Sequence, residues 1–154
     1  MKILFILIVN LIFYWIANVY KKNHLKKIDM YSNILLFIND ASSQISFTKS
    51  NIFEIIRNNI SSYSKNFSNI LSNYADGKSL SLIDYLNKNE CDEIIEFLNS
   101  IGKYDITETD KMFNFYKSKF ENKLMIQKDN YKTKVEPIFK IIIVLGLAVS
   151  ILLI

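Results

Sequence analysis

The last seventeen residues, Ile138 to Ile154, limit what this chain can fold into more than any other stretch. They read IFKIIIVLGLAVSILLI. Lys140 carries the one charge, and from Ile141 onward only Ser150 has a polar side chain. A helix of this length is about 25 Å long. That falls slightly short of a hydrocarbon core of about 30 Å, but Lys140 and the terminal carboxylate can reach toward the headgroups. Pro137 stands just before the run, where a helix start or a kink tolerates a missing N–H. A helix apolar on every face can be buried in a large core or in lipid, and this chain has only 154 residues. Residues 138–154 therefore read as a C-terminal transmembrane helix.

Residues 3–19, ILFILIVNLIFYWIANV, make a matching segment, weakened but not broken by Asn10 and Asn18. A cleaved signal peptide is the rival reading. The apolar run is long for a signal core, and bulky Tyr14, Trp15 and Tyr20 occupy the place where small residues would mark cleavage. The same aromatics suit an interfacial belt. Residues 1–20 thus read as an N-terminal transmembrane anchor.

Basic residues flank both segments. Lys21, Lys22, Lys26 and Lys27 follow the first, and Lys128, Lys132, Lys134 and Lys140 accompany the start of the second. Since positive charge favours the cytoplasmic side, each segment independently puts residues 21–137 in the cytoplasm and both chain ends outside. The net charge of +4 gathers beside the apolar segments, which points to membrane lipids with anionic headgroups as partners and not to nucleic acid.

The middle of the chain reads as helical. Three Gly and one Pro argue against a turn-rich β fold. The first helix is expected to continue past Leu25 along a seam of Ile28, Tyr31, Leu35, Ile38, Ser42 and Ile45. Asn51 with Glu54 predicts a capped start for a helix carrying Ile52, Ile55, Ile56, Ile60 and Tyr63, with a kink in the Ser61–Ser64 region before Phe67, Ile70, Leu71 and Tyr74. Asp76-Gly77 is the clearest turn signal. A short helix with Leu82, Ile83 and Leu86 is expected next, then one capped by Asn89 with Glu90, Asp92 and Glu93 in its first turn and Gly102 at its end. Thr107 with Asp110, or Asp105 with Glu108, begins a last long helix with a stripe of Phe113, Tyr116, Phe120, Leu124 and Gln127. The fold class is all-α: a cytoplasmic antiparallel helical bundle, residues 21–137, between two transmembrane helices.

Catalytic chemistry finds no foothold in these residues. There is no phosphate-binding Gly-rich loop, no dinucleotide turn and no His-Glu-x-x-His. His24, the sole histidine, lies within the basic juxtamembrane flank, which argues against a histidine-based triad or metal cluster, and Cys91 as the sole cysteine excludes an intramolecular disulfide and a cysteine-rich zinc site. Glu90, Asp92, Glu93 and Glu96 make a local acidic face without a second set of metal ligands, and Lys111, Lys117, Lys119, Lys123 and Lys128 read as a solvated helix face. No enzyme activity, metal or cofactor is expected. Gly146 and Ser150, four apart with Ala148 between them, offer a small face for close helix approach in lipid.

Three stretches together resemble the stage III sporulation protein AB family of endospore-forming bacteria. They are Gln44-Ile45-Ser46-Phe47 with Ile52-Phe53-Glu54, then Ile101-Gly102-Lys103-Tyr104-Asp105, and the ending Leu145-Gly146 through Ile151-Leu152-Leu153-Ile154. The resemblance implies a structural platform in the mother-cell membrane facing the forespore, within a secretion-like channel complex. It implies a soluble domain similar to the F-type platform domain of type II secretion, with the other channel subunits and a secretion-type ATPase as partners. Gly102, Lys103, Tyr104 and Asp105 form the corner expected to meet such partners, and self-association stays open. A generic two-anchor adaptor or regulator is the alternative if topology alone is trusted. A small pore-forming protein is a third, disfavoured by the size of the folded middle and the lack of a polar stripe in the anchors.

Overall fold

The computed structural model describes residues 2–48, 51–78, 83–101 and 106–152. Among them every regular element is helical. The helices are α1 (Lys2–Thr48), α2 (Ile52–Asn59), α3 (Lys65–Ala75), α4 (Lys88–Ser100), α5 (Ile106–Asn130) and α6 (Glu136–Leu152). The chain divides into two compact units, one of Met1–Lys26 with Ile126–Ile154 and one of Lys27–Met125. The lysine-bearing stretches 21–26 and 126–137 thus group with the apolar segments.

Two of the helical runs are long and apolar enough to cross a membrane, Leu4–Ile45 and Glu108–Leu152. The apolar windows that qualify them are only 6% and 17% buried. A core helix of a soluble protein shows the opposite. Leu4, Phe5, Leu7, Leu11 and Trp15 in the first and Ile141, Val144, Leu147 and Ile151 in the second are more than half exposed.

In the Lys27–Met125 unit, α1 supplies Met30, Tyr31, Ile34, Phe37, Ile38 and Ala41 to the core. The seam is therefore turned from the expected one. Tyr31 and Ile38 belong to it, Leu35 and Ile45 sit at its edge, and Met30, Ile34 and Phe37 take the centre. The reason is aromatic packing: Phe37 meets the rings of Tyr63, Phe67 and Phe97 edge-on, at about 6 Å between centroids. Phe97 is the hub, also meeting Phe113, Tyr116 and Phe120 of α5.

The short helices start and stop where local chemistry allows. Asn51 caps α2, its side chain accepting from Phe53 N at 3.0 Å. The chain then breaks through a 3-10 turn at Ile60–Ser62, and α3 begins after Ser64. Asn33 of α1 accepts from Ser64 N and the Tyr63 hydroxyl donates to Asp40, both at 2.8 Å, so the break is pinned to α1. α3 ends at Gly77, whose φ of +67° suits a residue without Cβ. Gly77 N donates to Tyr74 O and Lys78 N to Asn73 O, a Schellman closure.

Two expectations are corrected here. The described part of the segment after Gly77 is one turn closed by Leu86 N to Ile83 O, not a helix, although Leu86 is buried. The cap of α4 is Asn87 and not Asn89. Asn87 accepts from Glu90 N at 2.9 Å, and Glu90 accepts from Asn87 N at 2.8 Å. Only Asn87 has a Glu three residues on to return the bond.

α5 runs directly into α6 through a wider, π-helical turn at Tyr131–Val135. Pro137 explains it. Its nitrogen cannot bond the Thr133 carbonyl and its ring crowds that oxygen, so the ladder steps to a longer spacing, with Glu136 N donating to Tyr131 O. Thr133 Oγ1 meanwhile donates to Asp129 O at 2.8 Å. Pro137 is thus inside the helical run, not at its start.

Candidate functional site

The most specific polar geometry in the apolar unit lies between its two helices. Asn10 Nδ2 donates to Ser150 Oγ at 2.5 Å and to Ile6 O at 2.9 Å. Ser150 Oγ in turn donates to Gly146 O at 2.8 Å. Both amide protons and the hydroxyl proton are therefore used. Gly146 faces Phe13, and Lys21 lies 5.0 Å from the Phe139 ring centroid. Residue 10 meets 150, 13 meets 146 and 21 meets 139, so the two helices pair in opposite directions. Ala17 and Val135 are buried on the same faces.

The pairing gives the small residues their role. An ideal Cβ on Gly146 would lie 3.0 Å from Phe13 Cβ and 3.1 Å from its Cγ, closer than ordinary contact. Gly146 and Ser150 are buried, whereas Ala148 is exposed on the other face. Sequence reasoning found Gly146 and Ser150 but missed Asn10, which reads only as a blemish in an apolar run until its partner is known.

The basic residues do not act alike. Lys27 bonds Glu90 at 2.8 Å, with side chains only 20% and 9% exposed. This removes Lys27 from the set of open flanking charges. Lys140 pairs with Glu136 at 3.3 Å on an exposed helix surface, a contact worth little. Lys22, Lys132 and Lys134 are exposed.

The acidic face of α4 is divided between two neighbours. Glu90 goes to Lys27 of α1, while Glu93 pairs with Lys123 at 2.5 Å and Lys119 at 3.7 Å on α5. Burial pushes the Glu90 carboxyl up. The Lys27 hydrogen bond, the Asn87 amide, the Lys27 charge and Tyr31 outweigh it and hold the group below its ordinary value. The Tyr31 hydroxyl is buried beside the same carboxylate without a well-formed hydrogen bond, and burial with the Glu90 charge drives its ionisation far above the ordinary range. The arrangement ties α4 to both long helices. Among the described residues, no group of His, Cys, Asp and Glu is placed to hold a metal ion.

The corner Gly102, Lys103, Tyr104 and Asp105 lies outside the described residues. Among the described residues, Ser100, Glu108, Lys111, Met112, Phe115 and Tyr116 line a cleft of about 400 Å³. Phe115 is 62% exposed there, edge-on to Tyr116 at 5.2 Å. The Tyr74 hydroxyl donates to Ile101 O at 3.3 Å, fixing the entry to the corner. No family model matches the chain, and no curated protein or solved structure matches it either.

Proposed function

We propose that this chain is a two-anchor membrane scaffold, not an enzyme, with an antiparallel helical bundle on the cytoplasmic side. The observation that carries the reading is the closed Asn10–Ser150–Gly146 hydrogen-bond set between two helices whose remaining surfaces are exposed and apolar. In water such surfaces would collapse on a core; in lipid they are solvated, and the polar pair fixes which faces meet. The lysine flanks support the cytoplasmic placement of the bundle.

Within that reading, the resemblance to the stage III sporulation protein AB family supports a platform role in a mother cell–forespore channel. The bundle would link the membrane assembly to a secretion-type ATPase, and Gly102–Asp105 would be the contact corner. Affinity capture of the full chain from sporulating cells, after crosslinking, tests this. The platform reading expects synthesis confined to sporulation and recovery of that ATPase with other channel subunits. Equal abundance in vegetative membranes, with no such ATPase recovered, contradicts it and leaves the adaptor reading. The cleft beside exposed Phe115 favours that second reading, since an apolar ring flanked by Glu108 and Lys111 suits a small docking segment of any adaptor's partner.

A further inference from the structure

α1 carries two amides within its apolar run, and only one of them is bonded. Asn10 donates to Ile6 O and to Ser150 Oγ of α6. Asn18 has no hydrogen-bond partner among the described residues. It helps to line a groove of about 400 Å³ with Ile8, Leu11, Ile12, Tyr14 and Trp15.

The residues along this groove follow a repeat. Leu4, Ile8, Leu11, Trp15 and Asn18 are spaced by four, three, four and three. That is the 3.5-residue period of helices that wind around one another. The series is turned away from α6, which meets Asn10, Phe13 and Ala17 instead. Leu4, Leu11 and Trp15 are 62%, 66% and 67% exposed. From Leu4 to Asn18 the series covers about 21 Å of helix, most of the thickness of a hydrocarbon core.

We propose that this face of α1 is where a second copy of the chain docks, α1 against α1 in parallel, with Asn18 bonded to Asn18 of the copy. This deepens and rests on the two-anchor reading. Two copies inserted in one direction hold their α1 helices parallel, so equal positions of the repeat meet at equal depth. An acyl chain offers the Asn18 amide neither donor nor acceptor. An identical amide offers both, so the pair is self-complementary, as a two-fold interface requires. One polar residue in an otherwise apolar repeat also fixes register and the number of helices. Lys22, the next position of the series, is exposed, and its long side chain can turn outward to the headgroups, so the apolar contact ends there.

Crosslinking in native membranes tests the face. In a Cys91→Ser background, Ile8→Cys and Leu11→Cys should each give disulfide dimers when copper phenanthroline is added. Phe5→Cys and Ile16→Cys are also exposed, at 56% and 46%, but lie off the series and should not. Energy transfer tests the amide. The full chain, labelled at Lys65→Cys in the same background, is diluted with phosphatidylcholine in vesicles until transfer is lost. Asn18→Leu should lower the association constant about 3- to 30-fold. Asn18→Gln keeps the amide and should retain most of it.

Absence of dimers at Ile8→Cys and Leu11→Cys, or equal dimers at Phe5→Cys and Ile16→Cys, overturns the proposal. So does an association constant that Asn18→Leu leaves unchanged, and so does an Asn18→Gln constant as low as that of Asn18→Leu. Capture of a different protein by the cysteines of the series, in place of a second copy, overturns it too. Failure of the underlying membrane reading is separate: the chain would then leave native membranes on alkaline extraction.

Discussion

Replacing Gly146 with Leu should loosen the pairing of the two apolar helices. A first added carbon already meets Phe13 Cβ at 3.0 Å and Cγ at 3.1 Å, so Phe13 must give by a few tenths of an ångström. Losing glycine returns about 1 kcal/mol of helix propensity, so Gly146→Ala should come out near neutral. Leu adds three more carbons at the point of closest approach, and overpacking of this kind costs about 1–3 kcal/mol. Forced separation also strains the Asn10–Ser150 bond one turn away, and interhelical bonds in lipid average about 0.6 kcal/mol. The net loss is about 1–2 kcal/mol, a roughly 5- to 30-fold fall in the pairing constant. In a Cys91→Ser background, Lys21→Cys and Phe139→Cys report pairing by disulfide formation, followed through a detergent titration that dissociates the helices. Gly146→Leu should move the midpoint to lower denaturing detergent, while Ala148→Leu, on the exposed face, should not. An unchanged midpoint for Gly146→Leu, or an equal shift for Ala148→Leu, refutes the reasoning.

Other perturbations address the folded unit. Glu90→Gln keeps an acceptor for Asn87 N but removes the charge facing Lys27, and should cost about 1–3 kcal/mol near neutral pH in chemical denaturation. The Glu90 pKa is lowered in the fold, so its contribution is present above the ordinary value of 4.5 and is lost as pH falls through the folded value; the gap between wild type and Glu90→Gln should therefore close in acid. Phe97→Ala should cost about 3–5 kcal/mol because four other rings of the core lean on it, whereas exposed Phe115→Ala should change stability by less than about 0.5 kcal/mol. In a spectrophotometric titration, Tyr85 should ionise only near pH 12, raised by burial and then by Asp29, and Tyr63 later still, raised by burial and then by Asp40. Stability those two phenols contribute is complete below pH 10 and declines as pH rises through their folded values.

The features legible in the sequence were those set by local chemistry. Unbroken apolar runs give long exposed helices, and Asp76-Gly77 gives a left-handed closure, because few other residues permit them. Where two local solutions compete, a partner decides. Asn87 and Asn89 are equally good caps in isolation, but only Asn87 has Glu90 in reach. The seam of α1 contains apolar residues over a broad arc, and the rings of Tyr63, Phe67 and Phe97 select the side bearing Phe37. Contacts distant in sequence gave no such signal. Lys27 and Glu90 are 63 residues apart, and Asn10 and Ser150 are 140 apart. Pro137 was ambiguous for another reason: the same missing N–H suits a helix start or, as here, an interior position after a π-helical turn.

Cysteine labelling in intact cells puts the two-anchor topology to its most direct trial. Lys65 is exposed at the start of α3, and Cys91 is buried and replaceable by Ser. With Lys65→Cys in the Cys91→Ser background, an impermeant maleimide should leave intact cells unlabelled and react fully once the membrane is opened. Labelling of that cysteine in intact cells would contradict a cytoplasmic bundle held between two membrane-spanning helices.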